Sequence, residues 1–196
     1  MSKIPNWFEE TPHAKKNFEE FLLPMAGKEN LKFLQLGAFT GDASVWMLDN
    51  VLTGSGSELH DVDLFIETPE LAFLKLEWGG IENTYVERTS KYTNVKLYKQ
   101  HTHVFLKTAP LDYYDFIYVD ACPEAVDVLI EAELSWFSLK VGGIIAFDDY
   151  EFGMERVNQQ LKTPKRGVET FHSRRREKLS LVNVPTHQVW LKKESN

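Results

Sequence analysis

Three aspartates follow two apolar stretches of the chain, and their spacing is typical of a cation site. Asp120 comes directly after residues 115–119, and Asp148 and Asp149 come directly after residues 143–147. If both stretches are parallel strands of one sheet, their carboxyl ends meet at one rim and bring the three carboxylates together. Close carboxylates repel one another, so they either keep protons or bind a divalent cation. Ligands that are all oxygen favour Mg²⁺, and we predict a magnesium site there. The alternative is that Asp120 hydrogen-bonds a ligand or a turn while the other two cap a helix.

A glycine-bearing segment at residues 34–44, here called the hinge, reads Leu-Gln-Leu-Gly-Ala-Phe-Thr-Gly-Asp-Ala-Ser. Gly37 and Gly41 permit close approach of the backbone to a ligand, and the helix that follows offers free N–H groups. The hinge lacks both Gly-x-Gly-x-x-Gly and the Gly-Lys-Ser/Thr ending of phosphate loops, which disfavours a nicotinamide-dependent oxidoreductase. What remains is a nucleoside-type ligand whose ribose hydroxyls bind a carboxylate after the next strand. Asp63 lies there, and its alternative role is to cap a helix that begins near Pro69.

Apolar and polar stretches alternate along the chain in the strand-helix order that is typical of α/β proteins. We predict strands at residues 32–36, 59–65, 94–98, 115–119 and 143–147. Helices are predicted between them, at residues 42–51, 70–79, 102–107 and 123–138. Five such units form a Rossmann-like, doubly wound, mostly parallel sheet.

The C-terminal part of the chain has a different pattern. Residues 167–177 are predicted to form a helix, and residues 179–184 and 188–192 alternate like the two strands of a hairpin. This hairpin would give the sheet an antiparallel C-terminal edge.

Residues 11–24 place apolar side chains at helical spacing ahead of the first predicted strand. We therefore predict an N-terminal accessory helix region over residues 1–30 and a single domain over residues 31–196. The N-terminal aromatics would serve the core, a lid or a homo-oligomer interface equally well.

Four motifs occur in the order and at the spacing of a known family: residues 34–44, 62–65, 114–120 and 139–150. On these motifs residues 31–193 resemble the class I S-adenosylmethionine (SAM)-dependent methyltransferases. Within that class they are similar to small-molecule and sugar O-methyltransferases related to macrocin O-methyltransferase. The resemblance implies the class I methyltransferase fold and transfer of a methyl group from SAM to a hydroxyl of a sugar or diol. It also implies that Mg²⁺ on the three aspartates assists the reaction.

The family pattern implies a cofactor site. The residues that it places around SAM are Gln35, Gly37, Ala38, Phe39, Gly41, Asp63, Leu64, Gln100, Thr102 and Asp120. Gln35 stands where the family commonly has an acidic residue at the methionine end of the cofactor, and the exchange removes a charge. Gln100 and Thr102 would line the adenine side.

The family pattern leaves the catalytic base open. The sugar enzymes often read Asp-Gly-Asp after the fourth strand, where this chain reads Asp-Ala-Cys from Asp120 to Cys122. We predict Asp120 and Glu124, the nearest ionisable substitute, as catalytic residues, with His101 and His103 as alternatives. The missing base and the exchange at Gln35 also motivate a rival hypothesis, a cofactor-binding or interaction protein of the same fold that has lost catalysis.

Composition limits the classes of partner. The chain has 196 residues and a formal net charge of −7, with 12 Lys and Arg against 24 Asp and Glu in residues 1–150 and 10 against 5 in residues 151–196. Nucleic acid is an unfavoured partner, because the basic C-terminal part has no interleaved aromatics and the Asn/Asp-Pro-Pro-aromatic motif of amino-group methylation is missing. One cysteine, no apolar run of membrane-spanning length and no signal-peptide pattern predict a cytoplasmic protein. The resemblance implies a small hydroxylated molecule as its substrate.

Overall fold

The computed structural model describes residues 4–67, 72, 75–153, 163–183 and 185–196. The strands among them are β1 (Lys32–Leu36), β2 (Glu58–Val62), β3 (Val95–Tyr98), β4 (Tyr114–Val119), β5 (Leu139–Phe147), β6 (Leu179–Leu181) and β7 (Val189–Lys193). The helices are α1 (Trp7–Glu10), α2 (Pro12–Leu22), α3 (Asp42–Asn50), α4 (Trp78–Thr89), α5 (Thr102–Leu106), α6 (Ala125–Ser138) and α7 (Pro164–Arg174), with a 3₁₀ turn at Leu23–Met25.

The strands form one sheet in the order β3-β2-β1-β4-β5-β7-β6. Strands β1 to β5 pair in parallel, and β7 pairs antiparallel with both β5 and β6. The order runs outward from β1 in one direction to β3 and in the other direction from β4, so it reverses between β1 and β4. Such a reversal opens a crevice at the carboxyl ends of the two strands. The predicted doubly wound sheet with an antiparallel C-terminal edge is confirmed.

The core consists of one large apolar cluster on each face of the sheet. Neighbouring residues of β4 point to opposite faces. Ile117 packs with Phe147 and the buried side of α6 and α7. Phe116 packs on the other face with Trp190 and the buried side of α2 and α3. Helices therefore cover both faces and leave the ends of the strands open to a ligand.

The N-terminal helix α2 is part of the core. The Phe18 ring is fully buried and makes edge contacts with Trp46, Phe116, Tyr118 and Trp190 at centroid distances of 5.0–6.0 Å. The helix predicted at residues 11–24 is confirmed over Pro12–Leu22.

The helix predicted at residues 70–79 is displaced in the structure, because only residues 78 and 79 of its described part are α-helical. Residues 68–71, 73 and 74 lie outside the described part of the chain, and residues 75–77 precede the helix, which runs over Trp78–Thr89. Two glycines near its start and many polar residues obscure the apolar periodicity by which a helix is recognised in a sequence. Tertiary packing stabilises it, because Ile81 and Tyr85 are buried against the hinge.

Several strands and helices begin or end at residues other than those predicted. The strand predicted at residues 59–65 stops at Val62, so Asp63 lies in the loop after β2. The helix predicted at residues 167–177 begins earlier, at Pro164, because proline is favoured in the first turn. Of the strand predicted at residues 179–184, β6 retains only Leu179–Leu181, and residue 184 is outside the described part.

The longest helix described, α6, has 14 residues. Within the described ranges, none of the helices combines the length and the apolar character that crossing a bilayer requires. The cytoplasmic location stays a prediction.

Phe18→Ala should lower the free energy of unfolding by about 3–5 kcal/mol, because it removes a ring from a fully packed site and leaves a cavity. Urea denaturation measures the change. Glu20→Ala is the matched control on an exposed face of the same helix, and its effect should stay within about 0.5 kcal/mol. Equal losses in the two variants would contradict the assignment of α2 to the core.

Candidate functional site

A cavity of about 520 Å³ opens at the carboxyl ends of the parallel strands. Its walls come from the hinge after β1, the loops after β2, β3, β4 and β5, and the N-terminal helices α1 and α2. The predicted cofactor and metal residues line it, with the exception of Gly41. The topology therefore brings together side chains that are far apart in the sequence.

The Asp63 carboxylate holds the hinge in place. Oδ2 accepts hydrogen bonds from the backbone N–H groups of Ala38 at 2.8 Å and Phe39 at 2.9 Å, and Oδ1 accepts one from Phe65 at 2.7 Å. Phe39 has a φ of 47°, a left-handed conformation that is uncommon for a bulky residue. Asp63 thus ties the loop after β2 to the loop after β1, while its side chain also lines the cavity.

The two hinge glycines have different roles. Gly37 has a φ of 86°, and a Cβ there would lie 2.0 Å from the backbone oxygen of Asp120, so only glycine lets the hinge pass the end of β4. Gly41 has a φ of 77° and precedes α3, with its α-carbon against the ring of Tyr85. Gly41 does not line the cavity, and the structure gives it a role in starting α3 and packing α4 instead of the predicted cofactor contact.

Gln35 is buried and has both ends of its amide engaged. Nε2 donates to the backbone oxygen of Gly37 at 2.9 Å, and Oε1 accepts from the Ser44 hydroxyl at 3.1 Å. A carboxylate could not make the first of these bonds, because it has no donor when ionised. The glutamine therefore stabilises the hinge against α3 and still lines the cavity.

The three predicted aspartates meet at the rim of the cavity. Asp148 Oδ2 accepts a hydrogen bond from the Tyr118 hydroxyl at 2.8 Å, and Gln188 Nε2 donates to the same hydroxyl at 3.1 Å. Asp149 lines the cavity and has a φ of 53°. Residues with such backbone strain occur often at functional sites.

The carboxylates at this rim raise each other's proton affinity. Burial, followed by the charges of Asp148 and Asp149, raises the pKa of Asp120 well above its usual range. Burial also raises the pKa of Asp148, although the hydrogen bond from Tyr118 opposes the change. Withdrawal from bulk water and the charge of Asp148 raise the pKa of Asp149 to about 7. At neutral pH the cluster therefore holds protons, and Asp149 is divided between its two forms.

The predicted magnesium site is not confirmed. All three carboxylates line the cavity, and their oxygen chemistry fits Mg²⁺. Across the described ranges, however, no group of three or more His, Cys, Asp or Glu side chains is arranged to hold a metal ion. One oxygen of Asp148 is engaged by Tyr118, and protons already balance part of the negative charge.

The predicted catalytic residue Glu124 lies outside the cavity. It is the N-cap residue of α6, with an extended backbone, and α6 carries two other acids, Asp127 and Glu131, to the cavity wall. Asp127 lies beside His103, with Nε2 to Oδ1 at 3.5 Å. Of the two alternative histidines, His101 lines the cavity and His103 reaches it only through Asp127.

Two parts of the site were not predicted from the sequence. Glu131 is 0% exposed and accepts a hydrogen bond from the Thr102 hydroxyl at 2.6 Å. Its helical spacing from Val128 and Ser135 on the buried face of α6 is the signal that could have revealed it.

The second part that was not predicted is an aromatic wall, in which the Trp7 ring stacks on Phe39 at a centroid distance of 4.4 Å.

More than half of the chain matches a known protein family. Residues 34–150 match the family described as a methyltransferase domain. No curated protein matches the chain in sequence.

Solved structures share the fold at low sequence identity. The O-methyltransferase TomG from Streptomyces achromogenes, solved with SAM, matches with a TM-score of 0.65 and 14% identity over 98% of this chain and 92% of that chain. The O-methyltransferase from Bacillus cereus, solved with S-adenosylhomocysteine (SAH), has a TM-score of 0.63 and 14% identity over 93% and 82%. The N-methyltransferase NodS from Bradyrhizobium japonicum WM9, also solved with SAH, has a TM-score of 0.62 and 13% identity over 97% and 92%. The class I methyltransferase fold is therefore common to this chain and to enzymes that differ in the acceptor atom.

Asp63→Asn should loosen the hinge. The amide N–H₂ group would replace one of the two carboxylate oxygens, so that two donors would face each other where a backbone N–H now donates to an oxygen. We expect a loss of about 1–3 kcal/mol in the free energy of unfolding and faster hydrogen exchange at Ala38 and Phe39. Denaturation and exchange mass spectrometry measure the two effects. Asp49→Asn, on the exposed end of α3, is the control and should change neither. Unaltered exchange in the Asp63 variant would show that the carboxylate does not hold the hinge.

Proposed function

Because this chain belongs to the methyltransferase domain family, we propose that it transfers the methyl group of SAM to a hydroxyl of a small molecule. The observation that carries this proposal is the joining of the hinge and the carboxylates after β4 and β5 in a single cavity. A cofactor and an acceptor that react must share one enclosed space, and this cavity brings the hinge and the acids together.

The residues present suit SAM. The cavity has the size of small-ligand sites, and Gly37 lets the hinge pass close to the end of β4 at its edge. The hinge backbone at residues 37–39 would hold the methionine part, and Asp63, with about four acceptor sites of which three are used, would accept from a ribose hydroxyl. When bound, SAM supplies an electrophilic methyl group on a sulfonium sulfur.

Asp149 is the residue best suited to take up the acceptor proton. In the transfer, the acceptor oxygen bonds to the methyl carbon as the carbon–sulfur bond breaks, and the hydroxyl proton must leave. A base works best with a pKa near the working pH, and that of Asp149 is raised to about 7. Asp120, whose pKa is raised further, keeps its proton and would donate a hydrogen bond at the same rim.

A small, uncharged hydroxylated acceptor suits the rest of the cavity. Trp7, Phe8 and Phe152 supply apolar surface in the same cavity as the acids, which is the pattern of small-molecule sites. The acidic rim and the net charge of −7 would repel a phosphate backbone, and this argues against nucleic acid as the acceptor.

Mg²⁺ assistance stays a prediction, and no step of this mechanism uses it. Proton transfer to Asp149 accounts for the proposed reaction without a metal ion. A homo-oligomer likewise stays a prediction.

Calorimetric titration with SAM and SAH should give micromolar dissociation constants, because the preformed hinge needs little ordering. Equal dissociation constants with Mg²⁺ and with chelator are expected, since the hinge and Asp63 would bind SAM without a metal ion. Tighter binding with Mg²⁺ would support the predicted magnesium site. Failure to bind either ligand would refute the proposal and favour the rival, an interaction protein that has lost catalysis.

Asp149→Asn should lower kcat by about 10²–10⁴-fold in an SAH-release assay with a hydroxylated acceptor, while SAH affinity stays unchanged. In the wild type, kcat/KM should rise with pH and level off above about 7, because only ionised Asp149 accepts a proton. The variant should lose this rise.

Asp112→Asn is the matched control for this substitution. Asp112 also has a positive φ, of 46°, but precedes β4 at the opposite end of the sheet from the cavity. Its variant should keep both the rate and the pH profile. The same pH profile in wild type and Asp149→Asn would exclude Asp149 as the base.

A further inference from the structure

Glu131 is a buried acid with one oxygen that has no partner in the described part of the chain. Its side chain is fully buried at the cavity wall, Oε1 accepts the Thr102 hydroxyl at 2.6 Å, and Oε2 makes no hydrogen bond. A buried polar atom without a partner costs free energy, and most such atoms in proteins are satisfied. An unsatisfied oxygen on the wall of a ligand cavity indicates a group on the ligand that completes it.

If the ligand is SAM, as proposed above, the position of Glu131 indicates which part of SAM forms a hydrogen bond with Oε2. The carboxylates after β5 belong to the reacting end, and Asp63 to the ribose. Glu131 and Thr102 lie on α6 and α5, which pack against each other on one face of the sheet. The part of SAM that remains for this side of the cavity is the adenine ring.

We propose that Glu131 is the residue by which the cavity selects adenine, through a hydrogen bond from a neutral carboxyl group to ring nitrogen N1. Since Oε1 accepts from Thr102, the carboxyl proton resides on Oε2, the atom without a partner. Burial, opposed by the Thr102 hydrogen bond, raises the pKa of Glu131 to about 8, which keeps the group neutral at pH 7.

This arrangement distinguishes adenine from its deaminated counterpart, hypoxanthine. Adenine N1 is an acceptor and matches the Oε2–H donor. Hypoxanthine carries a hydrogen on N1, so two donors would meet in a buried site where neither finds another partner. S-inosylhomocysteine, the deaminated form of SAH, is therefore the probe that isolates this contact.

Calorimetry on the full chain compares SAH with S-inosylhomocysteine. The wild type should bind SAH about 10- to 100-fold more tightly, which is the cost of one buried unpaired group. Glu131→Gln should lose most of this preference, because the amide can turn either its donor or its acceptor to the ring. Glu133→Gln, on the same helix but paired with Arg174 and Arg175 away from the cavity, is the matched control and should keep the wild-type ratio.

Thr102→Val is the second variant, and it tests the contact if the glutamine variant folds poorly. It leaves Glu131 in place but frees Oε1, so the preference should fall by a smaller factor. A wild-type protein that binds both ligands equally would overturn the inference alone, and so would an unchanged preference in both variants. A wild type that binds neither ligand would overturn the proposed function together with this inference.

Discussion

The three backbone hydrogen bonds that Asp63 accepts set the shape of the whole site. They join the loop after β2 to the hinge, and the hinge in turn passes the end of β4 so closely that position 37 must be glycine. Gln35 adds a second tie from the hinge to α3. One half-buried carboxylate thus fixes the relation between three loops, each of which carries residues of the cavity wall.

Electrostatics determines the character of the cavity beside the hinge. The carboxyl ends of β4 and β5 are adjacent because the strands pair in parallel, so Asp120 and Asp148 must share a small volume. Burial raises the pKa of both, and the charges of Asp148 and Asp149 add to the effect at Asp120, so a single cavity acquires groups of raised proton affinity without any unusual residue type. Burial, with a smaller contribution from the charge of Asp127, also raises the pKa of Glu131 on α6 to about 8.

Much of this arrangement was predictable from the sequence, for reasons that differ between parts. The C-terminal halves of β4 and β5 are largely buried and apolar, so the acids after them could be placed at one rim. Helix α4 was missed because its stability comes from the contacts of Ile81 and Tyr85 and not from local propensity. Glu131 was missed because a lone acid in an apolar helix carries no motif, and Glu124 was chosen because nearness in sequence was taken for nearness in space. The engagement of Asp63 by backbone amides follows from loop geometry, which periodicity does not encode.

The stacking of Trp7 on Phe39 links the start of the chain to the hinge. Trp7 is 38% exposed and lies at the cavity wall, while Phe39 is held by the Asp63 carboxylate. Any ligand that enters must alter the surroundings of this indole, either by displacing water from it or by shifting the ring beneath it. Trp7, one of five tryptophans in the chain, is therefore placed to report occupancy of the cavity through its own fluorescence, without an attached dye.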